Sequence, residues 1–309
     1  MQQSQPAFQT IVCAVDFSRH SAMALKYADA LRRGGRARLV VVFAVDPFLS
    51  AAAATAYDSR ALTSTALLEL RRFVRATIGA EATGTLSCQV VAGRPARAIV
   101  AAAEGIHADV LVVGTHGLSG VKKAFFGSTS DAILRRAPMP VLAIPRKCRA
   151  PRRRWPQGGI VAAVHFEPHA REDAAVLSEV AKSFGAPLDL VITVPNMRVP
   201  FWLRVNKPAL NRHRIAAAQA WLDRRLEAVP RSAGATHVLV GDKADDIAAF
   251  ASGRRSDLLL VTVPAMRMRR VADSGTAYRL LCVARCPVLV LPRRKRIRHS
   301  GKPRLDDAA

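Results

Sequence analysis

The stretch TIVCAVDF at residues 10–17 returns as GIVAAVHF at residues 159–166, an offset of 149. Outward from this pair the echo continues. VVAG at 90–93 is answered by LVG ending at Gly241, and DVLVV at 109–113 by DLLLV at 257–261, both at an offset of 148. Gly127 is matched by Gly275 at 148, and PVLAIP at 140–145 by PVLVLP at 287–292 at 147. Landmarks spread over a whole unit drift by only two residues, so the chain reads as a tandem duplication. Its 309 residues, about twice a common domain size, agree.

Within the first unit, apolar runs at 11–15, 39–45, 86–91, 110–113 and 141–144 alternate with longer stretches of helical spacing. Continuous hydrophobicity suits strands covered on both faces, and strand–helix alternation suits a parallel sheet. Helices are expected from Ser18, as a cap, to the glycines at 34–35; over 65–78; over 95–104, opened by Pro95; and over 128–136, ending before Pro138. The expected fold is α/β: two tandem doubly wound five-stranded parallel sheets, Rossmann-like. The units span 1–145 and 158–292, with a basic linker at 146–157 and a basic tail at 293–309.

Half of the residues are hydrophobic, enough for buried cores. The longest aliphatic stretches, 39–45 and 258–263, fall far short of the roughly 18 residues that span a bilayer. The opening MQQSQPAFQT shows no secretory pattern, so a cytoplasmic location without a membrane partner is expected. Cys13, Cys88, Cys148, Cys282 and Cys286 form no CxxC pair and no metal rhythm. Cys13 and Cys282 read as core residues. Cys148, among cations that stabilise a thiolate, is the one placed to react, although no role is assigned to it. The net charge of +24 is uneven: the units carry +7 and +6, the linker +6 and the tail +5, so 29 residues hold 11 of the 24 charges.

The fourth apolar run leads straight into GTHGLSG at 114–120, and GSTS follows at 127–130. A strand ending in glycines and then a Gly-Ser-Thr helix start supply what a polyphosphate needs. Glycine permits close approach and positive φ, the helix start offers free N–H groups, and the hydroxyls add donors. The place, at the carboxyl end of a strand, is where open α/β sheets bind ligands. A plain strand-to-helix turn with a serine cap is the alternative. Neither a Walker A loop nor a GxGxxG fingerprint is present.

The spacing G-x2-G-x9-G-[ST], at Gly114, Gly117, Gly127 and Ser128, with Asp16 at the end of the first strand and the Gly93–Pro95 turn, resembles the ATP-binding branch of the universal stress protein family. The resemblance is close over 8–145 and degenerate over 158–292. It implies an adenine nucleotide alpha hydrolase-like fold in which Ala14, Val15 and Asp16 line the adenosine pocket and Ala44 touches adenine. It further implies that Val113, Gly114, His116 and Gly117 contact ribose and phosphates, while Gly127, Ser128, Thr129 and Ser130 hold the phosphates. Asp16 reads equally as a helix cap, and His116 as a backbone contact with its side chain in solvent. Lys122 and Lys123 either offset phosphate charge, with or without Mg2+, or form a solvated loop.

The second unit departs where it matters. Asp16 becomes His165, Gly114 becomes Thr262, His116 becomes Pro264 and Gly117 becomes Ala265, while Gly127 and Ser128 persist as Gly275 and Thr276. One nucleotide per chain, in the first unit, is therefore expected. A metal set of His165, Glu167 and His169 lacks further partners nearby in sequence. No catalytic machinery stands out, so binding with at most slow hydrolysis is expected.

RKCRAPRRR at 146–154 and RRKRIR at 293–298 read first as a solubilising linker and tail, extended by self-repulsion. An interaction protein that binds nucleic acid or an acidic partner through them is the alternative, disfavoured because no aromatics interleave. Residues 199–214, with Phe201 and Trp202, read as a partner surface, a lid or a packed loop. The resemblance also implies domain pairing through the fifth strand, giving an internal pseudo-dimer and, between chains, a homodimer.

Overall fold

The computed structural model describes residues 8–46, 59–79, 85–115, 127–164, 169–197, 202, 206–226, 234–264 and 275–293. The first half runs β1 (Thr10–Val15), α1 (Arg19–Gly35), β2 (Arg38–Val45), α2 (Ser59–Ile78), β3 (Leu86–Ala92), α3 (Pro95–Gly105), β4 (Val110–Gly114), α4 (Ser128–Arg136) and β5 (Val141–Ile144). The second half repeats that order as β6 (Ile160–Ala163), α5 (Ala170–Phe184), β7 (Leu188–Val194), α6 (Lys207–Leu226), β8 (Thr236–Val240), α7 (Lys243–Gly253), β9 (Leu258–Pro264), α8 (Thr276–Val283) and β10 (Val288–Arg293).

All five apolar runs of the first half are strands, and α4 has the expected bounds. Helix α2 begins at Ser59, six residues before the periodicity becomes visible. Helix α1 starts as expected, with the Ser18 hydroxyl accepting from Ser21 N–H at 3.1 Å. Its end differs: Gly34 and Gly35 lie inside the last turn, and Arg36 takes the left-handed conformation (φ 54°) and donates its N–H to the Arg32 carbonyl. The stop is thus an ordinary αL cap made by a non-glycine residue.

The ten strands form one sheet in the order β3-β2-β1-β4-β5-β10-β9-β6-β7-β8. Each half is parallel and doubly wound, so the strand order reverses between β1 and β4, and again between β6 and β9. The two five-stranded sheets expected from the sequence are joined at an antiparallel seam, with Val141 opposite Val290, Leu142 opposite Leu289 and Ala143 opposite Val288. All six residues are buried. The pairing removes two apolar edges that would otherwise stand open.

Alternate residues of each strand feed two cores. Ile11, Cys13 and Val15 belong to the face covered by α1, α2, α5 and α6. Val12 and Ala14 belong to the face covered by α3, α4, α7 and α8. Both cores run through the seam, with Leu142 and Leu289 in the first and Val141 and Val290 in the second. No helix among the described residues is long and apolar enough to cross a membrane.

The segment between the halves is packed rather than extended by self-repulsion. Cys148 and Trp155 are buried in the first core. Trp155 stands edge-on to Tyr27 of α1 (ring centroids 4.9 Å, 77°) and lies 6.4 Å from Phe184 of α5, bridging the halves. Its indole N–H donates to the Asp257 carbonyl at 3.1 Å, and the Tyr27 hydroxyl donates to the Arg149 carbonyl at 2.8 Å. The Asp257 carboxylate accepts from Gln157 and Gly158 N–H at 2.7 and 2.6 Å. In the first half Asp109 does the same for Gln9 and Thr10, both at 2.8 Å. Burial pushes the Cys148 thiol well up from its ordinary value, which overturns the reading of a thiolate stabilised by neighbouring cations. The expected tail at 293 begins inside β10, to which Arg293 belongs. Residues 207–214 of the unmatched insert form the start of α6, and Trp202 is exposed. Phe201 lies outside the described residues.

Candidate functional site

The crevice outside the carboxyl ends of β1 and β4 is the topological switch point of the first half, and the chain turns tightly there. After β1, Phe17 adopts φ 63° and packs against Phe43 and Phe73 at 4.6 and 5.4 Å. This turn swings Asp16 over the start of α1. Asp16 Oδ1 accepts from Ser18 N–H at 3.0 Å, and Asp16 N–H donates to the Ser21 hydroxyl at 3.2 Å. Asp16 thus forms a tight turn onto the capping residue, and the cap of α1 itself is the Ser18 hydroxyl. Ala14 and Val15 are buried under the crevice, and Ala44, half-buried, lies one strand away beside Val91.

β4 brings Gly114 to the same edge. A Cβ there would lie 3.0 Å from the His20 carbonyl oxygen and 3.4 Å from Ser21 N, so the first turn of α1 leaves no room for a side chain. Glycine is required by close approach, not by positive φ: Gly114 is not among the residues with left-handed φ, and Gly127 has φ −67°. The Ser130 hydroxyl donates to the Gly114 carbonyl at 2.6 Å, and Gly127 N–H donates to the carbonyl of the fully buried Thr115 at 2.7 Å. These bonds lock α4 to the end of β4. Ser130 is thus committed to the scaffold, while Ser128 is exposed and Thr129 half-buried at the mouth.

Gly127 caps α4 without a side-chain bond. The first N–H groups of a helix have no intrahelical acceptor, and with the helix dipole they favour an anion. Ala14, Val15 and Asp16 thus lie at the carboxyl end of β1, and Val113, Gly114 and Gly127–Ser130 at that of the neighbouring β4, where Gly127 is bonded to Thr115. His116, Gly117, Lys122 and Lys123 lie outside the described residues.

Two charged groups at this edge escaped sequence reasoning. His20, in the first turn of α1, is held below its ordinary pKa by burial and by the Arg146 guanidinium, with Asp16 opposing. Arg146 lies two residues past the end of β5 and reads in the sequence only as the first cation of the linker. Its position in the sheet, two strands from β1, gives it a different setting. No spacing signal marks either residue, because their proximity is created by the strand order.

The corresponding edge of the second half is built otherwise. Arg293, at the end of β10, donates through Nε to Asp173 Oδ1 at 2.7 Å and through a second nitrogen to Oδ2, forming a bidentate pair with a buried carboxylate in the first turn of α5. Thr262, at the position of Gly114, is buried with its hydroxyl lacking a hydrogen-bond partner. His169 contacts Glu172 at 2.8 Å, and no metal-ligating group of three or more His, Cys, Asp or Glu occurs among the described residues. His165, Glu167 and Ala265 lie outside them.

Comparison with known proteins places this geometry. The model of the universal stress protein family matches residues 7–145. The universal stress protein of the QAH/OAS sulfhydrylase 3′ region in Thermus aquaticus is 36% identical over 138 residues, covering 44% of this chain and 98% of that protein. Over the whole chain, a universal stress protein of Archaeoglobus fulgidus superposes with a TM-score of 0.62 at 15% identity, covering 94% of this chain and 97% of that one. A functionally unknown protein of Pseudomonas aeruginosa PAO1 superposes with a TM-score of 0.60 at 19% identity, covering 93% and 94%. The two structures establish the shared fold, the two sequence matches establish descent, and the chain belongs to the universal stress protein family.

Proposed function

We propose that the chain is an adenine-nucleotide-binding stress protein that carries one ATP site, in its first half, and acts as a nucleotide sensor or regulator rather than as a dedicated enzyme. The observation that carries this reading is the asymmetry between the two switch-point crevices. In the first, a side-chain-free Gly114 meets the Asp16 turn, while the uncapped helix start at Gly127 is shared by Gly275 of the second half. In the second, Arg293 is tied to Asp173, and Thr262 adds a side chain where the first half has none.

In this reading Ala14, Val15, Asp16 and Ala44 border the nucleoside, and Val113, Gly114, His116 and Gly117 the ribose and phosphates. The backbone N–H groups of Gly127–Ser130 and the hydroxyls of Ser128 and Thr129 hold the phosphates. At the nucleoside end the Asp16 carboxylate accepts hydrogen bonds instead of repelling phosphate, and Mg2+ bound with the nucleotide would offset phosphate charge. Arg146 adds a cation at the edge. Binding with at most slow hydrolysis is the reading, because no motif in the sequence marks a positioned base or water-orienting group.

The chain is further read as two copies of one unit, 1–145 and 158–292, paired internally through β5 and β10. The repeated Asp109 and Asp257 clamps support the duplication, and the antiparallel seam supports the internal pair. Mass analysis of nucleotide released from freshly purified, denatured protein tests the ligand, with an adenine nucleotide expected. A Ser128→Asp variant tests the place. Aspartate suits the first turn of a helix, so the fold is kept, yet it repels phosphate and weakens ATP binding by about tenfold or more.

A further inference from the structure

On the opposite edge of the first sheet, where α1 and α2 end, the linker crosses both helices and closes a cleft of about 290 Å³. Lys26, Asp29 and Arg33 line it from one face of α1, Thr77 from the last turn of α2, and Arg152 and Arg153 from the linker. All four cations are exposed. The one carboxylate is buried and already engaged: Asp29 Oδ1 accepts from Arg32 at 2.7 Å and Oδ2 from Arg33 Nε at 2.7 Å. Among the described residues, Lys26, Arg152 and Arg153 have no carboxylate partner.

The C-terminal dipoles of α1 and α2 account for cations in their last turns, such as Arg33. They do not account for Lys26, two turns earlier on α1, or for the pair supplied by the linker. Nor are Arg152 and Arg153 carried on a free strand. The Tyr27 bond to the Arg149 carbonyl fixes the linker on one side of them, and the buried Trp155 fixes it on the other. Four cations therefore line one concave site against a single, already engaged carboxylate, an excess of positive charge that favours a bound polyanion. Arginine offers the forked donor geometry that matches phosphate oxygens.

We propose that this cleft binds a compact oligophosphate, a chain of about three phosphate groups, its volume lying near the lower bound of small-molecule sites. The phosphate chain is the recognised chemistry, whether inorganic or the phosphate end of a nucleotide. This site is separate from the crevice at the carboxyl ends of β1 and β4 and does not depend on the ATP reading.

Inorganic tripolyphosphate is the probe, titrated calorimetrically into the full chain at about 0.15 M salt, where weak surface attraction is screened. One saturable site is expected, weakened by about tenfold or more in an Arg152→Gln, Arg153→Gln double variant and persisting in Ser128→Asp. In the unaltered protein, tripolyphosphate is expected to slow acylation of Lys26 several-fold, a readout that needs no variant. ATP protecting Lys26 as well, in the Ser128→Asp background, assigns the nucleotide as a source; protection by tripolyphosphate alone assigns the inorganic ion. Absence of saturable binding overturns the proposal, as does binding that the double variant retains or an unprotected Lys26. Duplex DNA protecting Lys26 where tripolyphosphate does not also overturns it, in favour of a nucleic-acid surface.

Discussion

His20 shows how the fold creates chemistry that one residue does not announce. Burial and the neighbouring Arg146 favour its neutral form, so its pKa in the folded chain lies below the ordinary value of about 6.5. Below that ordinary value the unfolded chain binds more protons than the folded one, and stability falls as pH falls until the folded pKa is passed. Urea unfolding at about pH 7 and about pH 5.5 is expected to show this loss, and His20→Gln is expected to shrink it. Gly114 gives a second residue-scale expectation. A methyl group 3.0 Å from the His20 carbonyl oxygen forces backbone apart, so Gly114→Ala should cost about 1–3 kcal/mol in urea unfolding. The need for glycine here is legible in the sequence; its reason is not, because positive φ is a local property and contact with another helix is not.

At the scale of elements, strands were easy to read and the linker was not. Each buried strand of the first half is a run such as VLVVG, apolar on both faces because helices cover both. The linker is a charge run, and its average composition suggests solvation. What decides its conformation is two residues within it, Cys148 and Trp155, which find Tyr27 and Phe184 far away in sequence. Trp155→Ala removes a buried ring shared by α1 and α5 and should destabilise the chain by about 3–5 kcal/mol. The same variant should expose the arginines at 152–154 to trypsin, with cleavage there as the measurement. A linker resisting trypsin as well without Trp155 as with it would contradict its role as the anchor. Helix α2 was under-read for a related reason: its first turns are rich in Ser, Thr and Arg and carry little of the apolar face that signals a helix.

For the whole molecule, duplication and divergence are both visible in sequence, and the sheet adds how they fit together. The repeat offsets, read as duplication, say nothing of the antiparallel seam, because the pairing of β5 with β10 depends on edges rather than on spacing. Joined at the seam, the two halves share both cores. The buried Asp173–Arg293 pair is an instance of how the two halves differ. Its residues lie 120 positions apart and belong to no motif, so only the fold reveals that the edge is engaged internally. The candidate crevice of the first half draws on Asp16, Gly114 and Gly127–Ser130, which the sequence marks by spacing, whereas His20 and Arg146 come to that edge only through strand order. The central claim is that one half alone binds nucleotide, and calorimetric titration of the intact chain with ATP tests it most directly. The account predicts one ATP at the first-half crevice, with that binding weakened by about tenfold or more in Ser128→Asp; a second equivalent that persists in the Arg152→Gln, Arg153→Gln double variant, or binding of which no part responds to Ser128→Asp, would contradict it.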